Sequence, residues 1–141
     1  MNSECIFCRI GAHEAEASVV LEDSHVLAFM DLRAFTPGHT LIIPKRHFPN
    51  ITALEDGEVA RALMLAVARV AGGVTAAFAA EGISVWQSNG EAAGQEVPHL
   101  HLHVVPRYEG DGLLRVYPSR PDYPDRNSLD EHAQRIRDAL S

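Results

Sequence analysis

The residues best suited to chemistry lie in Pro98-His99-Leu100-His101-Leu102-His103-Val104-Val105-Pro106, where three of the chain's 8 histidines alternate with aliphatic residues. Neutral imidazole is a nucleophile, a proton carrier and a metal ligand, and it changes charge near neutral pH. The alternation predicts a strand from about His99 to Val105. Its two faces would carry the three imidazoles on one side and Leu100, Leu102 and Val104, turned to the core, on the other.

Three uses of such a row are open. It is a polar face turned to solvent, a three-histidine zinc site, or a row with divided labour. In the last case the middle histidine attacks, one neighbour orients it or binds metal, and the other contacts the reacting group. Alternate strand residues lie about 6.7 Å apart, so His99 and His103 stand about 13 Å apart at Cα. With zinc–nitrogen bonds of about 2.0–2.1 Å, adjacent pairs can share an ion, but all three on one ion is difficult. Division of labour uses the three rings best.

Two further groups of residues bear on chemistry. The loop Asn89-Gly90-Glu91-Ala92-Ala93-Gly94-Gln95-Glu96-Val97 directly precedes the histidines. Gly94 and Gln95 there are expected to offer backbone N–H groups and an amide to an anion such as phosphate. Cys5-x-x-Cys8, the only cysteines, is half of a tetrahedral zinc site and needs two more ligands. In a reducing compartment this spacing favours metal or redox chemistry over a structural disulfide. The alternative is a pair of reduced, half-buried thiols.

The elements that must hold these residues follow from pattern. Residues 1–10 read as a short turn or helical piece carrying the cysteines. Val19–Glu22 and Val26–Met30 read as strands joined in a hairpin at Asp23-Ser24. Thr36-Pro37-Gly38 is a turn, and Thr40–Ile43 a short apolar strand ended by Pro44. Thr52 and Glu55 fit a capping box. Val59, Leu63, Ala66, Val67, Val70, Val74 and Phe78 then recur at helical spacing, predicting one long helix to about Ala80 with Gly82 just past its end. Gly72-Gly73 weakens it by roughly 1 kcal/mol per glycine, unless a close helix–sheet contact offsets the cost. Ile83–Gln87 is a strand, Ser88–Val97 a polar loop, and 107–124 an extended segment rich in Pro, Gly and Asp. Ser128–Glu131 reads as a second capping box, opening a final helix with Leu129, Ala133, Ile136 and Leu140 on one side. The expectation is an α+β fold with an approximately five-stranded, mostly antiparallel sheet, one long helix and a C-terminal helix. At 141 residues it forms a single domain, 1–110 carrying the motifs and 111–141 a C-terminal extension and helix.

Composition narrows the function classes. The formal charge of -7 argues against a nucleic acid polymer as partner, although a small phosphorylated ligand needs only a few local donors. No uninterrupted apolar run approaches the roughly 18 residues that span a bilayer, so no membrane partner is expected. The start Met1-Asn2-Ser3-Glu4-Cys5 has neither a basic nor an apolar signal region, and a cytoplasmic location is the expectation.

Together these motifs resemble the histidine triad (HIT) family, whose signature His-φ-His-φ-His-φ-φ (φ apolar) is matched in full by His99 to Val105. Ala28-Phe29-Met30-Asp31-Leu32, the run from Pro37 to His47, and Asn89-Gly90 with Ala93-Gly94-Gln95 are similar to family segments in the family's order. The resemblance covers roughly residues 3–110 and is closest to the phosphoramidase-like branch. It implies nucleotidyl hydrolysis or transfer at the α-phosphate of purine nucleotide conjugates, either phosphoramidates or dinucleoside polyphosphates. A nucleotide-binding regulatory protein with weak activity is the alternative. By position, His101 is implied as nucleophile and His103 as the contact to phosphate oxygens. Asp31 is implied for the ribose hydroxyls, with a turn or cap role as its alternative, and Phe29 and Leu32 for the base pocket. Asn89, Gly94 and Gln95 complete the implied nucleotide site. The resemblance further implies a structural Zn2+ on Cys5, Cys8, His47 and His99, and a homodimer with a continuous sheet. The chain departs from the pattern at Glu96, where many members carry Ser or Thr: a hydroxyl donates to the phosphate or the leaving atom, and an ionised carboxylate does not. Glu96 is therefore expected either to point away or to be protonated and donate. His39 is expected to make a structural hydrogen bond, and His13, His25 and His132 to lie at the surface.

Overall fold

Val19–Glu22 (β1) and Val26–Met30 (β2) pair as the predicted hairpin, at the predicted boundaries, in the computed structural model, which describes residues 2–113 and 122–140. Asp23 closes the turn, its Oδ1 accepting the N–H groups of His25 and Val26 at 2.7 and 2.9 Å. Thr40–Pro44 (β3), Gly82–Trp86 (β4) and Leu102–Arg107 (β5) complete an antiparallel sheet in the order β1-β2-β3-β5-β4 among the described residues. Helices Ile6–Gly11 (α1), Gly57–Phe78 (α2) and Arg126–Leu140 (α3) make the fold α+β, as expected. The chain divides into two compact units, Met1–Asp111 and Gly112–Ser141, of which the first holds the whole sheet.

Both faces of the sheet are covered, and strand alternation sorts its residues between them. Val26 and Ala28 of β2, Ile42 of β3, and Leu100 and Val104 pack with Val59, Leu63, Val67, Val70 and Val74 of α2. Leu27 and Phe29 of β2, with Leu41 and Ile43 of β3, pack with Phe7, Cys8 and Ile10 of α1. The histidine row shares the α1 face. Burial of each large apolar side chain contributes about 1.5–3 kcal/mol, which outweighs the roughly 1 kcal/mol that each of Gly72 and Gly73 costs α2. Both glycines are exposed with open space where a Cβ would stand, so no close helix–sheet contact offsets them. By length and composition alone α2 could cross a membrane, although charged residues interrupt its apolar sequence. Its buried stripe is the core of this domain.

Both helix starts differ from the expected capping boxes, and for one reason. Asp56 caps α2, its Oδ1 accepting the N–H groups of Glu58 and Val59 at 3.0 and 3.2 Å. Thr52 sits instead in a 3-10 turn, Ile51–Ala53, held by Asn50. Asp125 likewise takes the N–H of Ser128 at 2.8 Å, and α3 begins before Ser128. In each case a nearby Asp supplies a charged acceptor that complements the helix N-terminus. The far end of α2 also differs. It stops at Phe78, with Ala79 in the left-handed region (φ 48°), while Gly82 enters β4 and shifts that strand one residue earlier than predicted. The predicted extended segment falls partly on 114–121, outside the described residues.

The turn Thr36-Pro37-Gly38 abuts that helix end. Gly38 has φ 102°, and a Cβ there would stand 2.8 Å from the Phe78 ring, so only glycine fits. The next residue, His39, is thereby delivered fully buried at the start of β3.

Candidate functional site

The β3–β5 ladder runs only from Thr40↔Val104 to Ile42↔Leu102, so β5 starts at Leu102 and not at His99. Pro44 has no N–H to extend the ladder, and its carbonyl accepts the Nε2–H of His99 at 2.8 Å instead. Leu100 donates its N–H to Phe48 O at 2.7 Å. The chain stays extended enough to keep His101 and His103 adjacent, with ring centroids 5.1 Å apart. The reading of the row as a solvent face fails, because His99 and His101 are buried.

Hydrogen-bond partners give His101 and His103 opposite tautomers. His101 Nδ1 donates to the carbonyl of His99 at 2.7 Å, so its Nε2 carries the lone pair. His103 receives the reverse instruction through His39. The N–H of Phe35 donates to His39 Nδ1 at 3.2 Å, which puts the proton of neutral His39 on Nε2. That Nε2–H donates to His103 Nδ1 at 2.8 Å, leaving the proton of neutral His103 on its own Nε2. Burial, with the neighbouring His101 and His39, pushes the His103 pKa down to about 4 and keeps it neutral at physiological pH. Trp86, opposite His103 across the β4–β5 ladder, stacks on its ring at 5.2 Å. One ring therefore presents a lone pair to the open side and its neighbour an N–H.

A cavity of about 540 Å³ opens on these two rings. Phe29, Asp31 and the fully exposed Leu32 line it at the end of β2. One oxygen of Asp31 holds the N–H of Arg33 at 2.9 Å, a turn role, while Oδ2 lies 3.4 Å from His39 Nε2. Asp31, His39 and His103 lie close enough to suggest a metal group, but the short His39–His103 contact is a hydrogen bond.

The loop before the histidines does not present its donors as expected. Gly94 lines the cavity, yet its N–H donates to Glu91 O at 2.9 Å and that of Gln95 to Gly90 O at 3.1 Å. The Gln95 amide donates to Pro49 O and Val97 O, and Asn89 is bound to Ile51 N–H and the Gln87 amide. Gln95 and Asn89 thus brace the loop. Glu96 neither points away nor donates as expected: it lines the cavity and accepts from Arg33 in an ion pair. Sequence reasoning missed Arg33, Trp86 and Phe7. Trp86 is the chain's single Trp, a signal in itself, but its place over His103 depends on a strand register that pattern does not reveal.

The other end of the row meets the cysteines. His99 Nδ1 lies 3.4 Å from Cys5 Sγ and 3.5 Å from Cys8 Sγ, and His47 Nδ1 lies 3.3 Å from Cys8 Sγ. A tetrahedral site with Zn–S of about 2.3 Å and Zn–N of about 2.0–2.1 Å has S–N edges of about 3.5 Å. The donor set and its spacing fit zinc. The hydrogen bond to Pro44 O fixes the His99 ring with Nδ1 toward the sulfurs, as the outer partner of a ligand does. Burial, aided by His47 and His101, pushes the His99 pKa down to about 4, keeping the ligating neutral form. Burial and the adjacent Cys5 push the Cys8 thiol up, a penalty on the thiolate that a cation would reverse. His13 and His25 make exposed contacts to Glu22 and Glu58, and His132 is exposed on α3.

Known proteins share this chain's fold and much of its sequence. The HIT domain model matches residues 12–110. Protein hit of Bacillus subtilis is 43% identical over 119 residues, covering 84% of this chain and 81% of its own. Adenylylsulfatase HINT3 of Arabidopsis thaliana is 33% identical over 113 residues, 80% of this chain and 57% of its own. A crystal structure of a HIT family member from Bacillus subtilis superposes with a TM-score of 0.90 at 38% identity, covering 99% of both chains. A Zn-bound histidine triad family protein from Mycobacterium smegmatis gives 0.72 at 35% identity, covering 97% of both. The chain belongs to the histidine triad (HIT) family.

Proposed function

We propose that this protein is a nucleotidyl hydrolase or transferase of the phosphoramidase-like branch, acting at the α-phosphate of purine nucleoside phosphoramidates or related conjugates. The observation that carries the reading is the opposed pair of tautomers at His101 and His103. His101 Nε2 attacks phosphorus, and the bond to the leaving atom breaks with its electron pair. The Nε2–H of His103 donates to the phosphate oxygens, where charge builds in the transition state. Water then attacks the nucleotidyl-histidine and the P–N bond returns its pair to Nε2. An amine leaves in the first step with a proton taken from solvent, and in the second the hydroxyl of water ends on phosphorus while its other proton returns to solvent. Asp31 takes the ribose hydroxyls, Phe29 and Leu32 face the base, and Asn89, Gly94 and Gln95 shape the loop beside it.

Glu96 favours an amine leaving group over a polyphosphate. A carboxylate can accept the N–H of an amine at the leaving atom, and it repels a further phosphate at the cavity wall. Rapid quench with adenylated phosphoramidates and dinucleoside polyphosphates tests both statements. A covalent nucleotidyl-histidine should accumulate, and Glu96→Ser should raise the rate on polyphosphates relative to phosphoramidates several-fold. No covalent adduct with any substrate would remove the enzymatic reading in favour of a nucleotide-binding protein.

The zinc reading is part of the same proposal: Cys5, Cys8, His47 and His99 hold a structural Zn2+, and the Mycobacterium smegmatis relative is zinc-bound. When bound, the ion supplies a fixed tetrahedral tie between the N-terminal helix and the histidine strand. We also propose a homodimer. β4 is an edge strand with Val85 half exposed, and α2 exposes Met64 and Leu65. Pairing with a second copy would cover such an edge. Val85→Lys is expected to shift the sedimentation coefficient from dimer to monomer; a wild-type protein that sediments as a monomer refutes the assembly.

A further inference from the structure

The cysteine–histidine cluster and the nucleotide cavity share one short element. α1 is six residues long, and no side chain caps its N-terminus at Cys5. A helix of that length does not persist alone. It is held by Phe7, Cys8 and Ile10 in the smaller core and by the two sulfurs against His99 and His47. The same helix walls the cavity with Ile6, Phe7 and Ile10.

Phe7 is the joint between the sites. Its ring meets Phe29, His99 and His101 edge-on, with centroids 5.5, 5.9 and 5.1 Å away. His99 belongs to the cluster, His101 is the attacking ring, and Phe29 lines the cavity. A second link runs through the backbone. The His99 ring faces the cysteines, while its carbonyl holds the Nδ1–H of His101.

We propose that α1 couples the two sites, so that a zinc ion on Cys5, Cys8, His47 and His99 and a nucleotide in the cavity each raise the affinity for the other. The proposal rests on the metal and nucleotide readings above. With the ion bound, four ligands fix α1 on the sheet, and Ile6 and Phe7 stand in place as a wall for the nucleotide. Without it, the nucleotide must order that wall as it binds. Ordering achieved by one ligand need not be repeated by the other, and linkage makes the effect reciprocal. Phe7 and Ile6 act here as positioning residues.

The experiment is a competition between zinc-loaded protein and a chromophoric zinc chelator, with and without saturating adenosine 5′-monophosphate. Absorbance of the chelator reads zinc transfer, independently of turnover. The nucleotide is expected to tighten zinc binding by about tenfold, within the usual range for coupled sites. In Phe7→Ala all four ligands remain, and the tightening should shrink toward none. Ile6→Ala, at a half-exposed position outside the core, gives the same reading should Phe7→Ala fail to fold. Zinc and nucleotide both bound with no change in zinc affinity overturns the coupling and leaves the two site readings standing. Failure to take up zinc overturns the metal reading and the coupling with it. Failure to bind the nucleotide overturns the nucleotide reading and the coupling.

Discussion

Turnover of any adenylated substrate is expected to fall by about 10³-fold or more in His101→Asn and His101→Ala, as removal of an attacking group does in other enzymes. The two variants separate chemistry from architecture. Asparagine can still donate to the His99 carbonyl as Nδ1 does at 2.7 Å, but it has no Nε2 lone pair. Alanine loses both, and leaves that buried carbonyl without its partner, at a cost to stability of about 1–3 kcal/mol. Binding of nucleoside monophosphate should persist in both, because Asp31, Phe29 and Leu32 are untouched. Steady-state kinetics and calorimetric binding measure the two effects. Near-normal turnover in His101→Asn would sink the nucleophile assignment.

The second large effect concerns stability. Cys8→Ser removes the sulfur that lies near both His47 Nδ1 and His99 Nδ1. A ligand that binds only the folded state at a thousandfold over its Kd stabilises by about 4 kcal/mol. For a chain of this size that corresponds to a loss of roughly 10 °C or more in Tm. Wild-type protein stripped with a strong chelator should melt with the variant, and zinc should restore only the wild type. Equal Tm values for wild type, stripped wild type and Cys8→Ser would show that the four residues hold no structural ion.

The hairpin β1–β2 and the apolar stripe of α2 were legible in the sequence because period 2 and period 3.6 are local signals. The sorting of Leu100, Leu102 and Val104 away from the histidines followed from the same alternation. Helix starts were less legible. Thr52 and Ser128 obey the capping pattern, yet Asp56 and Asp125, four residues after one and three before the other, take the caps. Competition between acceptors a few residues apart is decided by how the chain enters the helix, which pattern does not encode. The start of β5 depended on Pro44, whose pairing position requires the register of a distant strand. The candidate site divides in the same way. His101 and His103 announce themselves by spacing, whereas the instruction that makes them unlike comes from His39 and Phe35, more than sixty residues away. The donors of Gly94 and Gln95, free on paper, are used within their own loop.

The contact of Gly38 with the ring of Phe78 makes the last turn of α2 a mechanical stop for the start of β3. Tyr108 tightens that stop, its hydroxyl donating to Phe78 O at 2.8 Å. Because His39 follows Gly38 directly and orders the proton of His103, any displacement of the helix end is passed through His39 to the His103 ring. The proton position of His103 is thus anchored to a helix that contributes no residue to the histidine row.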